Sequence, residues 1–331
     1  MITYIIRRLL QAILVLAALT VVFFMITHLT PGGPCAGQVQ TRVDVARQAE
    51  CVKRLGLDKP LPVQYGLWLS AYLHGDFGYA LGGESVQTLI LADLPVTILL
   101  ATVSYALQLM IALPLGIFSA LRQYSFFDTF FTFLSYVGLS MPTFWLGLML
   151  IFAFGVHWSI FPVQGVTSAT LPVFWTDAWF QALAQNPPLV LGDLARHLVL
   201  PALTLMVVGI ATDSRFMRAS MLDVIHQDYI RTAKAKGVRR HAVIFKHAFR
   251  NAILPIITNI ALYLPTLVGG FVITETLFTY PGVGYLFFTS IQLGDYSVVD
   301  ALLMLSAVAV LLANLLADLT YAWVDPRIRY D

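Results

Sequence analysis

The sequence predicts an all-α polytopic membrane protein, and three observations carry that prediction. Charged residues fill only 11% of the 331 positions against 58% hydrophobic ones, where a soluble globular domain carries roughly 25% charged residues. Mean hydropathy is +0.78, and the apolar residues gather into runs rather than scattering. Hydrocarbon about 30 Å thick takes about 20 residues of apolar helix to cross, and several runs reach that length.

The first run, Leu9 to Leu29, follows the basic pair Arg7 and Arg8. A signal peptide fits it less well, since its apolar core is about 7–15 residues and no A-x-A site precedes THLTPGGP. Pro34 before Cys35 also argues against lipoprotein cleavage. Five more runs follow at Val96 to Leu121, Phe130 to Val156, Leu198 to Ile210 extending towards Met217, Ala252 to Glu275, and Ala301 to Trp323. Six transmembrane helices put both termini on one side. The segments on that side, 1–8, 122–129, 212–250 and 324–331, hold fourteen of the twenty Lys and Arg residues. By the positive-inside rule both termini are cytoplasmic. The chain divides into an N-terminal segment and first span (1–29), an outer loop (30–95), and a core of five further spans (96–331) with a cytoplasmic loop at 218–250.

The outer loop holds GLDKPLPVQY and GDFGYALGG, whose Pro and Gly punctuation suggests turns around short helices. It is a cap or a docking surface. Cys35 and Cys51 both fall there, outside the membrane, where a disulfide persists if formed; the sequence leaves their pairing open. The next outer segment, 157–197, carries FWTDAWF and reads as an interfacial aromatic belt in preference to a ligand-stacking surface.

The cytoplasmic loop is the densest in charge. Proline is absent from Ala202 through Leu254, so the fourth helix is expected to run out of the membrane. Met221, Ile225, Tyr229 and Ala233 recur every four residues as an apolar stripe. Gly237 then follows Lys236 where a left-handed C-terminal residue is expected, with Lys234 and Lys236 complementing the helix dipole. A second short helix carries Arg239, Lys246 and Arg250 along one side and Ala242, Phe245 and Phe249 along another. A solvated loop explains the charge but requires neither stripe nor glycine. Anionic lipid attracts such a cluster too. Docking into a partner protein explains charge, stripe and turn together.

No G-x-x-x-x-G-K-[ST] phosphate loop occurs in the chain, so nucleotide binding of the usual kind is not expected. Its histidines are scattered over different segments, and no catalytic residue, cofactor or metal site is assigned. The two cysteines lack the spacing of a zinc site.

RTAKAKG with NAILP beyond it resembles the EAA loop of ABC importer membrane subunits, in the longer form of the oligopeptide, dipeptide and nickel branch. YIIRRLL, HLTPGGP, GDFGYAL, LSMPTFWLGLMLIF, HLVLPALTL, FVITETLFTYPGVGYL and YAWVDPRIRYD resemble the B-type permeases of that branch, in the same order from end to end. The resemblance implies the type I importer permease fold in a bacterial or archaeal inner membrane. It implies a peptide substrate and four kinds of contact: a second homologous permease subunit, two ABC ATPase subunits that bind ATP and Mg, an extracellular solute-binding protein, and membrane lipid. No nucleic acid is implied. The ATPase-coupling residues would be Tyr229, Arg231, Ala233, Lys236, Gly237, Arg239, Ala242, Phe245, Lys246, Phe249 and Arg250. Arg231 stands where other importer classes carry the glutamate of the EAA triplet, and Thr232 replaces its first alanine, so that glutamate's ion pair does not carry over.

Irregular backbone at membrane depth is tolerated only where it packs in protein or lines a cavity. Ser140 and Pro142 in the third span, Pro114 and Gly116 in the second, and Pro255, Pro265, Gly269 and Gly270 in the fifth are therefore expected to break helices; singly each reads as a packing kink with small residues at helix contacts, and as a set they point to the route and its gate. Glu275 closes the fifth span ahead of a turn at Pro281, Gly282 and Gly284. It meets a peptide amine or is a satisfied helix-end carboxylate. Asp213 with Arg215 reads as a structural pair. A self-sufficient secondary transporter would need ionisable residues near span centres, and these are scarce; nickel chelates or glutathione are other cargoes of the same branch.

Overall fold

The computed structural model describes residues 2–29, 52, 53 and 56–324. Cys35, Cys51 and the ending DPRIRYD lie outside the described residues. Within them the chain is mostly helical, and the extended pairing is a single isolated antiparallel bridge between Tyr79 and Ser85. Among the described residues four helices are long and apolar enough to cross a membrane, at Ile6–Leu29, Val86–Leu121, Pro187–Ile225 and Tyr296–Ala317. A bent pair, Phe126–Ser140 with Thr143–His157, gives a fifth if it counts as one crossing.

The described residues fall into two compact units. The first gathers the chain up to Ile98 with Leu264–Leu315. It contains α1 (Ile2–Leu29), α2 (Leu61–Leu73), the start of α3 (Val86–Leu121) and, near the other end of the chain, a run of short helices. Leu10, Ile13 and Leu14 of α1 stay exposed, as a helix bathed in lipid leaves them. Its opposite edge packs: Phe24 meets Trp68 and Met304 in one apolar cluster, and Thr20 Oγ1 lies 2.8 Å from Tyr65 Oη. A second cluster joins Val86 and Ile90 to Val283, Val298, Ala301 and Leu302.

The second unit runs from Leu99 to Tyr263 and takes up the chain again from Leu316. Besides the rest of α3 it contains α4 (Phe126–Ser140), α5 (Thr143–Leu150 continued by a π-helical Ile151–His157), α6 (Asp177–Gln185), α7 (Pro187–Ile225), α8 (Asp228–Ala235), α9 (residues 240–252) and α10 (Leu254–Tyr263). α7 is the spine, touching α4, α5, α6, α9 and α10. Its 39 residues span about 58 Å at about 1.5 Å per residue, well beyond the hydrocarbon thickness.

The structure moves several expected boundaries. α7 begins at Pro187 rather than Leu198, because Asn186 accepts a hydrogen bond from the Leu189 amide at 3.3 Å and Pro187 takes the first helical position, where its missing N–H costs nothing. α3 begins ten residues before Val96 and runs through Pro114 and Gly116 without a break. The break at Pro142 is real: Met141 is extended, as the residue before proline prefers, and α4 and α5 meet at 100°.

The expected fifth span, Ala252 to Glu275, is cut into pieces. α10 ends at Tyr263, and α11 (Thr266–Gly269) and α12 (Val272–Leu277) follow. Pro265 withholds a backbone donor, and Gly270 at φ +70° turns the chain between α11 and α12. At Pro255 the chain does break, as expected: α9 ends at Ala252, Ile253 forms a turn, and α10 restarts at Leu254 with Pro255 in its second position. α13 (Val283–Leu293) belongs to the first unit, and α14 (Tyr296–Val324) runs in it as far as Leu315.

In FWTDAWF, Phe174 and Trp179 are buried against one another with ring centroids 5.0 Å apart, whereas Trp175 and Phe180 are exposed. Half of the expected aromatic belt is core.

Candidate functional site

The basic loop folds as a helical wedge at the end of α7. α7 stops at Ile225, the Gln227 amide closes on the Val224 carbonyl at 3.1 Å, and α8 starts afresh at Asp228. That restart corrects the expected stripe. Met221 is fully buried, but on α8 it is Ile230, not Tyr229, that joins it, with Ala233 at 8% exposure. Tyr229 instead faces outward, and its hydroxyl accepts a hydrogen bond from Asn251 Nδ2 at 2.7 Å, tying α8 to α9.

Gly237 makes the turn between α8 and α9. Its φ of +72° lies in the left-handed region; its amide reaches the Lys234 carbonyl at 3.0 Å and the Val238 amide reaches Ala233 at 3.2 Å, the paired bonds that close a helix on a left-handed glycine. Lys236 caps α8, and Arg239 precedes α9. α9 contains a π-helical stretch, Val243–Ala248, whose extra residue per turn keeps Val243, Ala248 and Ala252 inward with Met217 and Ile256. Phe245 is therefore 48% exposed, its ring 4.5 Å from that of His241, while Ala242 and Phe249 are half-buried.

Arg231, Lys236, Arg239, Lys246 and Arg250 are all exposed. Arg231 meets Asp228 at 3.6 Å with both side chains largely in solvent, a pair worth little. The wedge thus has an apolar inner seam and an outer surface of cations and two exposed aromatic rings. A groove of about 540 Å³ runs beside it, lined by Ile225, Ile230, Val238 and Ile244 with Lys234 and Arg240.

Behind the wedge, α7 is held by polar contacts that sequence reading missed. Arg218 Nε and Nη2 donate to the two carboxylate oxygens of Asp128 at 2.7 and 2.8 Å, a fork clamping α4 to α7. Asp213 does not pair with Arg215. It accepts from Gln108 Nε2 at 2.6 Å and is also hydrogen-bonded by Asn259, so it joins α3, α7 and α10; Arg215 lies over the Tyr136 ring, 4.6 Å from its centroid. The partners in the two pairs Asp128–Arg218 and Gln108–Asp213 lie ninety or more residues apart and leave no local pattern. Ser140 Oγ bonds the Tyr136 carbonyl at 2.8 Å at the end of α4, beside the bend at Pro142.

In the first unit, Glu275 sits at the centre of a knot and is fully buried. Oε1 accepts from Thr97 Oγ1 and from the Phe271 amide, both at 3.0 Å; Oε2 accepts from the Tyr285 amide at 3.0 Å. Thr97 Oγ1 in turn accepts from the Val283 amide at 2.9 Å. Pro281 forms a tight turn in which the Gly282 amide reaches the Tyr280 carbonyl at 2.7 Å. Gly282 and Gly284 are required by proximity, since a Cβ on either would stand 2.6 and 3.0 Å from Oε2. The knot brings Glu275, Pro281, Gly282 and Gly284 together. In this conformation the carboxylate faces protein donors, which is the helix-end alternative rather than the substrate contact.

Asp295, between α13 and α14, anchors the neighbouring hairpin by accepting from the Leu81 amide at 2.7 Å. Burial pushes its carboxyl above the usual carboxylate range, against the pull of the Leu81 and Val298 amides.

No group of His, Cys, Asp and Glu among the described residues is placed to hold a metal ion. What the geometry can do is bind and transmit: a rigid, charged wedge is fixed to a long helix, and an internal acid pins a turn.

An apolar, multi-helix chain with such a wedge belongs to the class of integral membrane transport components. Two family models agree. Residues 112–330 match the binding-protein-dependent transport system inner membrane component, and residues 1–101 match the N-terminal part of the corresponding membrane component. The chain belongs to this family. It is 42% identical to the oligopeptide transport system permease protein AppB of Bacillus subtilis, covering 100% of both chains. It is 36% identical to the dipeptide transport system permease protein DppB of Escherichia coli K12, covering 100% of this chain and 99% of the other, and 36% identical to DppB of Alkalihalophilus pseudofirmus over 100% of both.

Proposed function

We propose that this chain is the transmembrane subunit of an ATP-driven importer of di- or oligopeptides, and that the wedge at 218–250 receives the ATPase cycle. The observation that carries the reading is the wedge: a capped helix, a left-handed glycine turn and a second helix hold Tyr229, Phe245 and a set of exposed cations outward. A merely solvated loop needs no such scaffold. The full-length likeness to peptide permeases supplies the substrate class.

On this reading six crossings place both termini in the cytoplasm, with the bent pair as one crossing and the pieces between Leu254 and Leu277 as another. A second, homologous permease completes the pathway, and a solute-binding protein delivers peptide from outside. ATP and Mg act on two separate ATPase subunits, so this chain is not itself an enzyme. Tyr229, Arg231, Lys236, Arg239, Phe245, Lys246 and Arg250 form the contact; Gly237 sets its angle, and Ala233, Ala242 and Phe249 seat the two helices. The bend at Ser140 and Pro142 and the turn at 281–284 border the pathway and its gate.

Gly237→Pro tests this. Proline requires φ near −65° and removes the amide bonded to Lys234, so the angle between α8 and α9 is lost. Stimulation of ATP hydrolysis by the peptide-loaded binding protein is expected to fall roughly tenfold or more, a coupling loss of about 1.4 kcal/mol. Gly237→Ala, which keeps the amide and meets open space, costs only about 1 kcal/mol of left-handed strain and retains most coupling. Unchanged stimulation in the proline variant would remove the wedge from the mechanism.

A further inference from the structure

The groove beside the wedge takes no part in the reading above. Its floor is aliphatic: Ile225 at the end of α7, Ile230 on α8, Val238 after the Gly237 turn, and Val243 and Ile244 on α9. Ile230 and Val243 are buried, whereas Ile225, Val238 and Ile244 are only partly covered by the protein's own side chains. At one end the groove reaches Ala120 and Leu121, the last two residues of α3. No acidic side chain and no aromatic ring lines it, and its charged groups are the cations of Lys234 and Arg240.

Position and charge together set what can cover this floor. α3, long and apolar enough to cross a membrane, ends at Leu121, and the turn and helix start that follow expose Tyr124, Phe126, Phe127 and Phe130. Aromatic side chains of this kind settle at a bilayer surface, so the groove opens at the level of the lipid headgroups. Lys234 and Arg240 are both exposed, and neither side chain makes an ion pair or hydrogen bond with a described residue. Segment 218–250 holds eight Lys and Arg residues against two carboxylates, Asp223 and Asp228, and Asp228 is turned to Arg231. Counter-charge for the two rim cations is therefore not supplied by the wedge.

An anion joined to a flexible aliphatic chain meets both conditions. An acyl chain that moves from the bilayer into the groove exchanges one apolar surrounding for another, while the groove's floor leaves water, which is the favourable step. Each cation attracts the phosphate at the rim. We propose that an anionic phospholipid of the adjoining leaflet lays one acyl chain in this groove and sets its phosphate against Lys234 and Arg240. A protein partner fits less well, because Tyr229 and Phe245, the aromatic rings that would anchor one, do not line the groove. The site rests on the membrane placement of the chain, not on the ATPase reading, and its test reads lipid rather than transport.

The test uses the full-length chain in nanodiscs of phosphatidylglycerol and phosphatidylcholine in equal parts. After graded delipidation with detergent, native mass spectrometry weighs the lipid retained. Phosphatidylglycerol is expected to be kept in preference to phosphatidylcholine, and that preference to fall at least about tenfold in the double variant Lys234→Gln, Arg240→Gln. The double variant Lys246→Gln, Arg250→Gln removes the same charge from residues outside the groove and is expected to keep the preference. All four side chains are exposed, so both variants are expected to fold. A phosphatidylglycerol carrying a diazirine on its acyl chain is then photolysed in the same discs, and label is expected on the peptides that contain Ile230, Val238 and Ile244. No preference for the anionic lipid, equal responses of the two variants, or label outside the groove overturns the proposal. Displacement of the label by added ATPase subunits would give the groove to a protein and overturn it as well.

Discussion

Glu275→Ala is expected to yield a chain that fails to stay folded outside the membrane. The substitution strips the acceptor from the Thr97 hydroxyl and from the Phe271 and Tyr285 amides in a fully buried site. Each stranded donor costs about 1–3 kcal/mol, and the total approaches the whole stability of an ordinary domain, about 5–15 kcal/mol. Glu275→Gln keeps one acceptor but turns an NH₂ group towards donors, for an expected loss of about 2 kcal/mol. The check is the fraction of chain remaining monodisperse in detergent after graded heating, read beside peptide uptake by the assembled transporter. An anchor predicts that uptake falls in step with the folded fraction. Uptake lost while the fold is fully retained would give Glu275 a ligand role and overturn the anchoring account.

The second large effect is expected at Asp128. Its side chain is 5% exposed and that of Arg218 27%, so the fork between them is shielded from water. Removing one partner of a shielded pair costs about 3–5 kcal/mol. Asp128→Ala also takes the acceptor from the Tyr124 amide at 3.0 Å, which holds Tyr124 at φ +62°. Asp128→Ala is therefore expected to destabilise the chain by about 3 kcal/mol, and Arg218→Lys by less, since lysine keeps the charge but not the fork. A double-mutant cycle through Asp128→Ala and Arg218→Ala measures the coupling. A coupling near zero would mean that α4 is held to α7 by apolar packing alone.

The sequence offered the helix-end role of Glu275 as one of two readings but gave no sign of the Asp128–Arg218 fork, and the reason is physical. Runs of apolar residues report burial or lipid along one helix, so α1, α3, α7 and α14 were legible, at least in their middles. Gly237 was legible because its signal is local: a glycine after a helix whose last turn is cationic. Asp128 with Arg218 and Gln108 with Asp213 arise only when helices pack, and no spacing announces them. The stripe of Met221, Ile225, Tyr229 and Ala233 was misread because the chain restarts at Gln227, which moves Tyr229 out and Ile230 in. The early start of α7 has a signal, Asn186 ahead of two prolines, but it lies in polar, proline-bearing sequence outside any apolar run. The breaks of the fifth run at Pro265 and Gly270 were legible because proline and glycine act on the backbone locally, whatever hydrophobicity surrounds them.

α7 begins beside the segment at Ser168, whose amide bonds Asp193 at 2.8 Å, and continues as one helix past Pro201 to the wedge. A rod of about 58 Å that tilts by about 5° about one end swings the other by about 5 Å, the rise of one helical turn. Such a lever needs no conformational change of its own to convert a small angular displacement at one membrane face into a full-turn shift at the other. Any point along it that is pinned, as at Asp128 or Gln108, becomes the fulcrum, and moving that pin by substitution alters the gain rather than merely the strength of the linkage.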